Sequence, residues 1–398
     1  MRRADSLSVT ILLTMLVALG PISTDLYLPS LPSLMQAFAA SEADVQLTLS
    51  IFLVGLAASQ LIYGPLSDRF GRKPVLLVGL VLYVVASVAC MLAPSIGFLI
   101  AARFLQALGA CVGPVLCRAV VRDVHGREGA ARVLSYLAAA MAIAPLLGPI
   151  LGGYLQAWFG WRANFAALVI YGLTGLIGAA TMLPETNQHR NPLATRPSNV
   201  LETYLMLAGQ RRYVGYVLSS AFGYSGIFCF ISGSSFVLMG MMKLPPDAYG
   251  YCFAAVVAGY IAGATLAGKL ARKVSLHRMI ASGGAIALAG GLILILLALA
   301  GIDTVAAIVG PTAVYLFGVG MVMANSMAGA IGPFPRAAGA ASALLGFTQM
   351  STAALVGAAI GHAADGTQMP MVIALALSAI AGPLGYWLMV RPWEKREG

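Results

Sequence analysis

Apolar runs of about 20 residues, parted by short polar breaks, fill almost the whole chain. A helix needs about 20 apolar residues to cross the ~30 Å hydrocarbon core of a bilayer. The pattern predicts twelve such spans, at 8–33, 45–65, 74–93, 97–120, 132–156, 163–183, 213–238, 247–268, 277–299, 304–326, 337–361 and 369–390. The longest polar break, 184–212, holds Pro184, Pro192 and Pro197, ends in Arg211-Arg212 and divides the spans six and six. Inside it, residues 200–209 predict a short helix lying on the membrane surface. The expected fold is an all-α polytopic membrane protein of twelve transmembrane helices. An N-terminal six-helix bundle covers 1–183, a linker 184–212 and a C-terminal six-helix bundle 213–398.

Charge orients the spans. With both termini in the cytoplasm, 21 of the 24 Lys and Arg fall on the cytoplasmic side, and only Arg162 and Lys243 lie outside. Cytoplasmic loops carry the Lys and Arg excess in membrane proteins, so this orientation is the expected one. Arg103 is left over, within a span.

Composition narrows the function classes. Hydrophobic residues make up 60% and charged ones 10%, against about 25% charged in soluble domains. The formal charge of +10 comes with no basic run interleaved with aromatics, so nucleic acid is not an expected partner; the lipid bilayer is. Met1-Arg2-Arg3 and the run after it resemble a secretory signal, but Gly20-Pro21 and Asp25 interrupt that run and further spans follow. It reads as an uncleaved first helix. Five cysteines at or within apolar runs read as buried thiols, and four histidines at loops or span ends have no second metal ligand at working spacing. No metal or other cofactor is expected. Nor is there a Gly-x-x-x-x-Gly-Lys-Ser/Thr phosphate loop or a catalytic constellation, and the chain does not read as an enzyme.

An ionisable residue within a span is costly and is a functional candidate for that reason. Of fourteen acids, only Asp25 lies well inside a span, and among the bases only Arg103. Each is 17 residues from the inner end of its span, about 26 Å at the helical rise. Equal depth makes an Asp25–Arg103 pair geometrically possible. Burial works against the charged form of a carboxylate and a neighbouring guanidinium works for it, so arriving substrate can tip a proton on or off Asp25. Arg103 cannot release a proton itself. A static ion pair fixing helix packing is the competing reading.

Between spans 2 and 3 runs Gly64-Pro65-Leu66-Ser67-Asp68-Arg69-Phe70-Gly71-Arg72-Lys73, a charged hinge between two apolar runs. It resembles the signature loop G-x-L-a-D-R-x-G-R-K of the major facilitator superfamily at every defining position; Gly268–Lys273 is a degenerate echo without the aspartate. Arg103–Gly109 is similar to the superfamily's span-4 motif R-x-x-Q-G, with Ala107 for the first glycine. Pro145, Gly148, Pro149, Gly152 and Gly153 in span 5 resemble its antiporter motif, with Ala144 in place of a glycine. Pro21, Asp25, Tyr27, Pro29 and Pro32, Arg122-Asp123 and Gly339–Leu344 resemble the Bcr/CflA group of drug/proton antiporters. Where that group has Ser-Pro-Phe near the outer end of span 7, this chain has Ser234-Ser235-Phe236, which leaves a kink there without its proline.

The resemblance implies a bacterial inner-membrane exporter that exchanges protons for small, largely apolar drugs of amphenicol or bicyclomycin type. It implies alternating access, Asp25 as proton carrier and Arg103 as its partner, with the proton as coupling ion and one chain sufficient for function. Gly64, Asp68, Arg69, Gly71, Arg72 and Asp123 are expected to form a cytoplasmic gate. There Asp68 is expected to face the N-terminus of span 11 near Arg336, and Arg72 to pair with Asp123. Candidate substrate contacts are Tyr27, the i, i+4 pair Tyr224 and Phe228, and the amides Gln106, Asn325 and Gln349; interhelical hydrogen bonding is the amides' plainer role. Export of a nucleoside or amino acid, import by proton symport, and a receptor or enzyme are the alternatives, the second disfavoured by the span-5 motif.

Overall fold

The computed structural model describes residues 6–188, 190–192, 194–271, 273–334 and 337–390. Within them the chain forms fifteen α-helices: α1 Leu7–Val17, α2 Leu19–Asp25, α3 Leu31–Phe38, α4 Glu42–Phe70, α5 Arg72–Met91, α6 Ile96–Ala110, α7 Val112–Phe159, α8 Trp161–Met182, α9 Pro197–Ala208, α10 Arg211–Ser235, α11 Pro246–Leu270, α12 Leu276–Leu299, α13 Val305–Ile331, α14 Ala338–His362 and α15 Met369–Met389. Among the described residues eleven stretches are long and apolar enough to span a membrane, and a twelfth is the first span, bent by 44° between α1 and the segment Leu19–Phe38. Helix α9 is the short linker helix expected near 200–209.

Span 1 is not one helix. Pro21 has no N–H for the carbonyl of Val17, and its ring crowds the preceding turn, so the backbone breaks at Ala18. Helix α2 then ends at Asp25, and a 3-10 turn, Leu28–Ser30, leads into α3. The proline series that runs from Pro21 to Pro32 therefore places Asp25 at a helix end.

Spans 4 and 5, expected as separate, are separate spans at Ile96–His125 and Tyr136–Phe159, but helical backbone continues between them within the 48 residues of α7. That stretch doubles back. A Cβ on Gly113 would lie 2.0 Å from the carbonyl oxygen of Leu16, and one on Gly152 2.0 Å from that of Leu26. Ten residues of span 1 cover about 15 Å, whereas 39 residues of straight helix would cover about 58 Å.

Helices α1–α8 pack into one bundle and α10–α15 into a second, and the two meet along two antiparallel seams, α4 with α14 and α7 with α11. Small residues let the backbones close in. On the first seam Gly361 faces Gln46, Gly357 faces Ser50, and Gly346 faces Gln60. Gly64 and Gly339 continue the same two faces toward the Asp68 loop, yet a Cβ on either would meet nothing within 4 Å. The seam is shut at the end away from that loop and parts toward it. Near the shut end, Ser232 Oγ donates across the bundles to Gln46 Oε1 at 2.9 Å.

Candidate functional site

Asp25 is buried, 3% exposed, and makes no hydrogen bond or ion pair among the described residues. The span-5 motif packs directly on it: a Cβ on Gly148 would be 2.9 Å from the Asp25 Cβ, and Gly152 meets the carbonyl of Leu26. On its other side, Gly153 abuts the backbone of Pro246 at the start of α11, and Gly250 abuts Pro149. One glycine-rich stretch thus fits α7 between α2 and α11. The start of α11, from the second bundle, packs on the same stretch of α7 that covers Asp25.

The expected Asp25–Arg103 pair is absent. Arg103, fully buried, donates from Nη1 to the carbonyl of Ser23 at 3.0 Å and to Gln106 Oε1 at 2.7 Å. Its guanidinium lies 4.1 Å from the ring centre of Phe52 and 4.7 Å from that of Tyr27. Equal depth did not mean equal azimuth: Ser23 and Asp25 are two residues apart, about 200° around the helix. Ser23 therefore faces α5 and α6, with its hydroxyl 2.7 Å from Tyr83 Oη, while Asp25 faces α7. The end of α2 leaves the Ser23 carbonyl without an intrahelical donor, and Arg103 fills that vacancy. Arg103 Nε and Nη2 find no acceptor among the described residues.

The hinge is a hydrogen-bonded knot. Arg72 binds Asp68 Oδ1 through Nη1 at 2.6 Å and Asp123 Oδ2 through Nε at 2.9 Å, as expected for Asp123. Asp68 has its partner within the hinge itself; Arg336, its expected neighbour, lies outside the described residues. Gly71 sits at φ 101°, left-handed backbone that favours glycine, and a Cβ there would strike the Glu185 carboxylate at 2.4 Å. Glu185 accepts from the backbone N–H of Arg72 at 2.9 Å and Lys73 at 3.2 Å, capping α5 at its positive end. Asn187 Nδ2 donates to the carbonyls of Ser67 and Asp68, Asn191 N donates to the latter, and Arg69 donates to Thr195 Oγ1 at 2.7 Å.

The sequence model of the Major Facilitator Superfamily matches residues 13–358. The protein belongs to the Major Facilitator Superfamily. Among curated relatives of this facilitator is the "Bicyclomycin resistance protein homolog" of Haemophilus influenzae, 30% identical over 392 residues, 97% of each chain. Another is the "Chloramphenicol resistance protein" of Pseudomonas aeruginosa, 32% identical over 344 residues, 85% of this chain and 80% of that one. These relatives agree with the Bcr/CflA resemblance, and the family is one of transporters rather than enzymes. The fold matches the crystal structure of a D-xylose–proton symporter with a TM-score of 0.75 at 17% identity, over 94% of this chain and 96% of that one.

In this facilitator the candidate substrate contacts fall into separate groups. Tyr27 and Gln106 belong to the Arg103 cage: Tyr27 Oη lies 2.9 Å from Thr48 Oγ1, and Gln106 Nε2 donates to Ser87 Oγ at 2.8 Å. Tyr224 is half-buried, whereas Phe228 is fully buried against Gly357 of α14. Gln349 bridges α14 to Ser220 of α10 at 2.7 Å, and Asn325 donates to the carbonyl of Met321 on its own helix at 2.8 Å. Both amides thus tie helices or backbone in the structure. Sequence reasoning missed Phe52, Tyr83, Glu185 and Gln46. Glu185 carried one usable signal, an acid placed directly after the last apolar residues of span 6. At Ser235, where the proline is missing, a π-helical turn, Phe236–Met241, ends α10 instead.

Proposed function

We propose that the protein is a proton-coupled antiporter that exports small, largely apolar drugs, of the bicyclomycin or amphenicol kind, across the bacterial inner membrane, with both termini in the cytoplasm. The observation that carries this reading is Asp25, the one buried carboxylate among the described residues, packed under Gly148 of the span-5 motif. The names of the relatives support the drug class, and the Lys and Arg bias supports the orientation.

The seam parts on the side of the Asp68 hinge, which this orientation makes cytoplasmic. Drug enters the cleft from there while Asp25 gives up its proton. Parting of the outer seam then lets drug leave and Asp25 take a proton from outside. Proton and drug alternate at one cleft, so inward proton flow drives outward drug flow. Arg72, held to Asp68 and Asp123, keeps the hinge rigid while α4 tilts. One chain contains both seams and the carboxylate, so a monomer suffices.

The test uses inside-out vesicles acidified by respiration, with lumenal pH followed on adding amphenicols, bicyclomycin, nucleosides or amino acids. Proton release is expected with an amphenicol or bicyclomycin in wild type and none in Asp25→Asn. Silence toward every compound with folded protein present, or an equal response from Asp25→Asn, would overturn the reading. A response to nucleosides or amino acids alone would replace the drug with a metabolite.

A further inference from the structure

Just beyond the Ser232–Gln46 bridge, the outer ends of five helices enclose a cavity of about 230 Å³. Pro32, Met35 and Glu42 of the first bundle form one wall; Phe236, Met241 and Met371 are prominent in the other, which the second bundle supplies. The π-helical turn lines it through Phe236, Val237, Gly240 and Met241. Such turns insert a residue into a helix and cluster at functional sites, and a Cβ on Gly240 within this one would meet nothing within 4 Å.

Glu42 is the one charged residue among those lining the space. It accepts from Gln46 Nε2 at 2.9 Å through Oε1, and Oε2 has no partner among the described residues. The outer loops around it carry Glu42, Asp44, Asp247, Asp303 and Asp365 against Arg162 and Lys243, a field that favours cations. An aromatic ring at Phe236 suits a cation, and methionine thioethers adapt to aryl groups. The space is below the ~300–1,000 Å³ typical of drug-sized sites, so it is too small for the transported drug.

We propose that this cavity is a regulatory site, open to the outside, for a small aryl-ammonium cation, and that its occupancy holds the outer gate shut. The side assignment rests on the orientation given above. Because the two walls belong to different bundles, the site is complete only while the outer seam is closed. A ligand that binds one state of two shifts the population toward it. Cation outside therefore opposes the step that releases drug.

Calorimetric titration of benzyltrimethylammonium into the purified full-length protein tests the site. Saturable binding is expected in wild type, weaker by about tenfold in Glu42→Gln, the loss of roughly one half-buried charge contact. Gly240→Leu, which fills the cavity, should bind none. In a Cys252→Ser background, spin labels at Ala37→Cys and Ala363→Cys report the outer gate, and the cation should raise the short-distance population in the parent but not with Gly240→Leu. Absent binding, equal affinity with Glu42→Gln, retained binding by folded Gly240→Leu, or a shift toward long distances would each refute the site. If Gly240→Leu does not fold, Glu42→Gln decides alone. Neither readout involves drug export, so failure here and failure of the vesicle experiment are separable.

Discussion

Arg103 is a permanent cation with neutral acceptors, two aromatic faces and no carboxylate partner among the described residues. Burying an uncompensated ion costs several kcal/mol, so the charge of Arg103 works against the stability of the bundle. Arg103→Met keeps much of the side-chain volume and removes the charge. We expect its melting temperature in detergent to be unchanged or raised and its proton-coupled export to be abolished; normal export would show the charge to be dispensable. At this scale the sequence marked both ionisable residues in the membrane, because a charge in an apolar run is conspicuous. It could not supply their relation, since depth follows from counting residues while azimuth depends on where Pro21 breaks the helix. Phe52 was illegible for a different reason: one aromatic among many carries no mark until a cation is placed against it.

At the scale of elements, the fit of α7 against α2 sets what the span-5 motif does. A Cβ on Gly152 would lie 2.0 Å from the carbonyl oxygen of Leu26, whereas one on Gly148 would lie 2.9 Å from the Asp25 Cβ. The overlap at Gly152 is deeper by almost 1 Å, so Gly152→Ala should destabilise by about 1–3 kcal/mol, in the range of overpacking costs, and more than Gly148→Ala. Thermal unfolding of the two variants in detergent checks the order, and equal losses would contradict the close approach. The twelve spans were legible because the bilayer imposes a length on each. The broken first span was half legible: its prolines were visible, but the helix ends they produce were not. The helical continuation across α7 was hidden, because a loop of polar residues and a polar helical turn look alike in composition. The missing proline at Ser235 misled in the same way, since a π-helical turn has no residue signature of its own.

For the whole molecule, the unequal closure of the α4–α14 seam is the feature that function turns on. Ala43→Cys with Gly361→Cys bridges it at the shut end, where a Cβ on Gly361 would lie 3.3 Å from the Ala43 Cα. We expect this pair to cross-link readily under mild oxidation, to stop transport, and to recover it on reduction; full transport by the cross-linked protein would mean that the seam need not open. The linker's length and prolines marked it as a break between helix groups, but not the side to which it is fastened. Glu185, Asn187, Asn191 and Thr195 all bind the hinge of the first bundle. A gene cut in two for co-expression should therefore be divided after Thr195 rather than before Glu185. The first fragment then carries its own clasp, and the second begins with a helix that owes the hinge nothing.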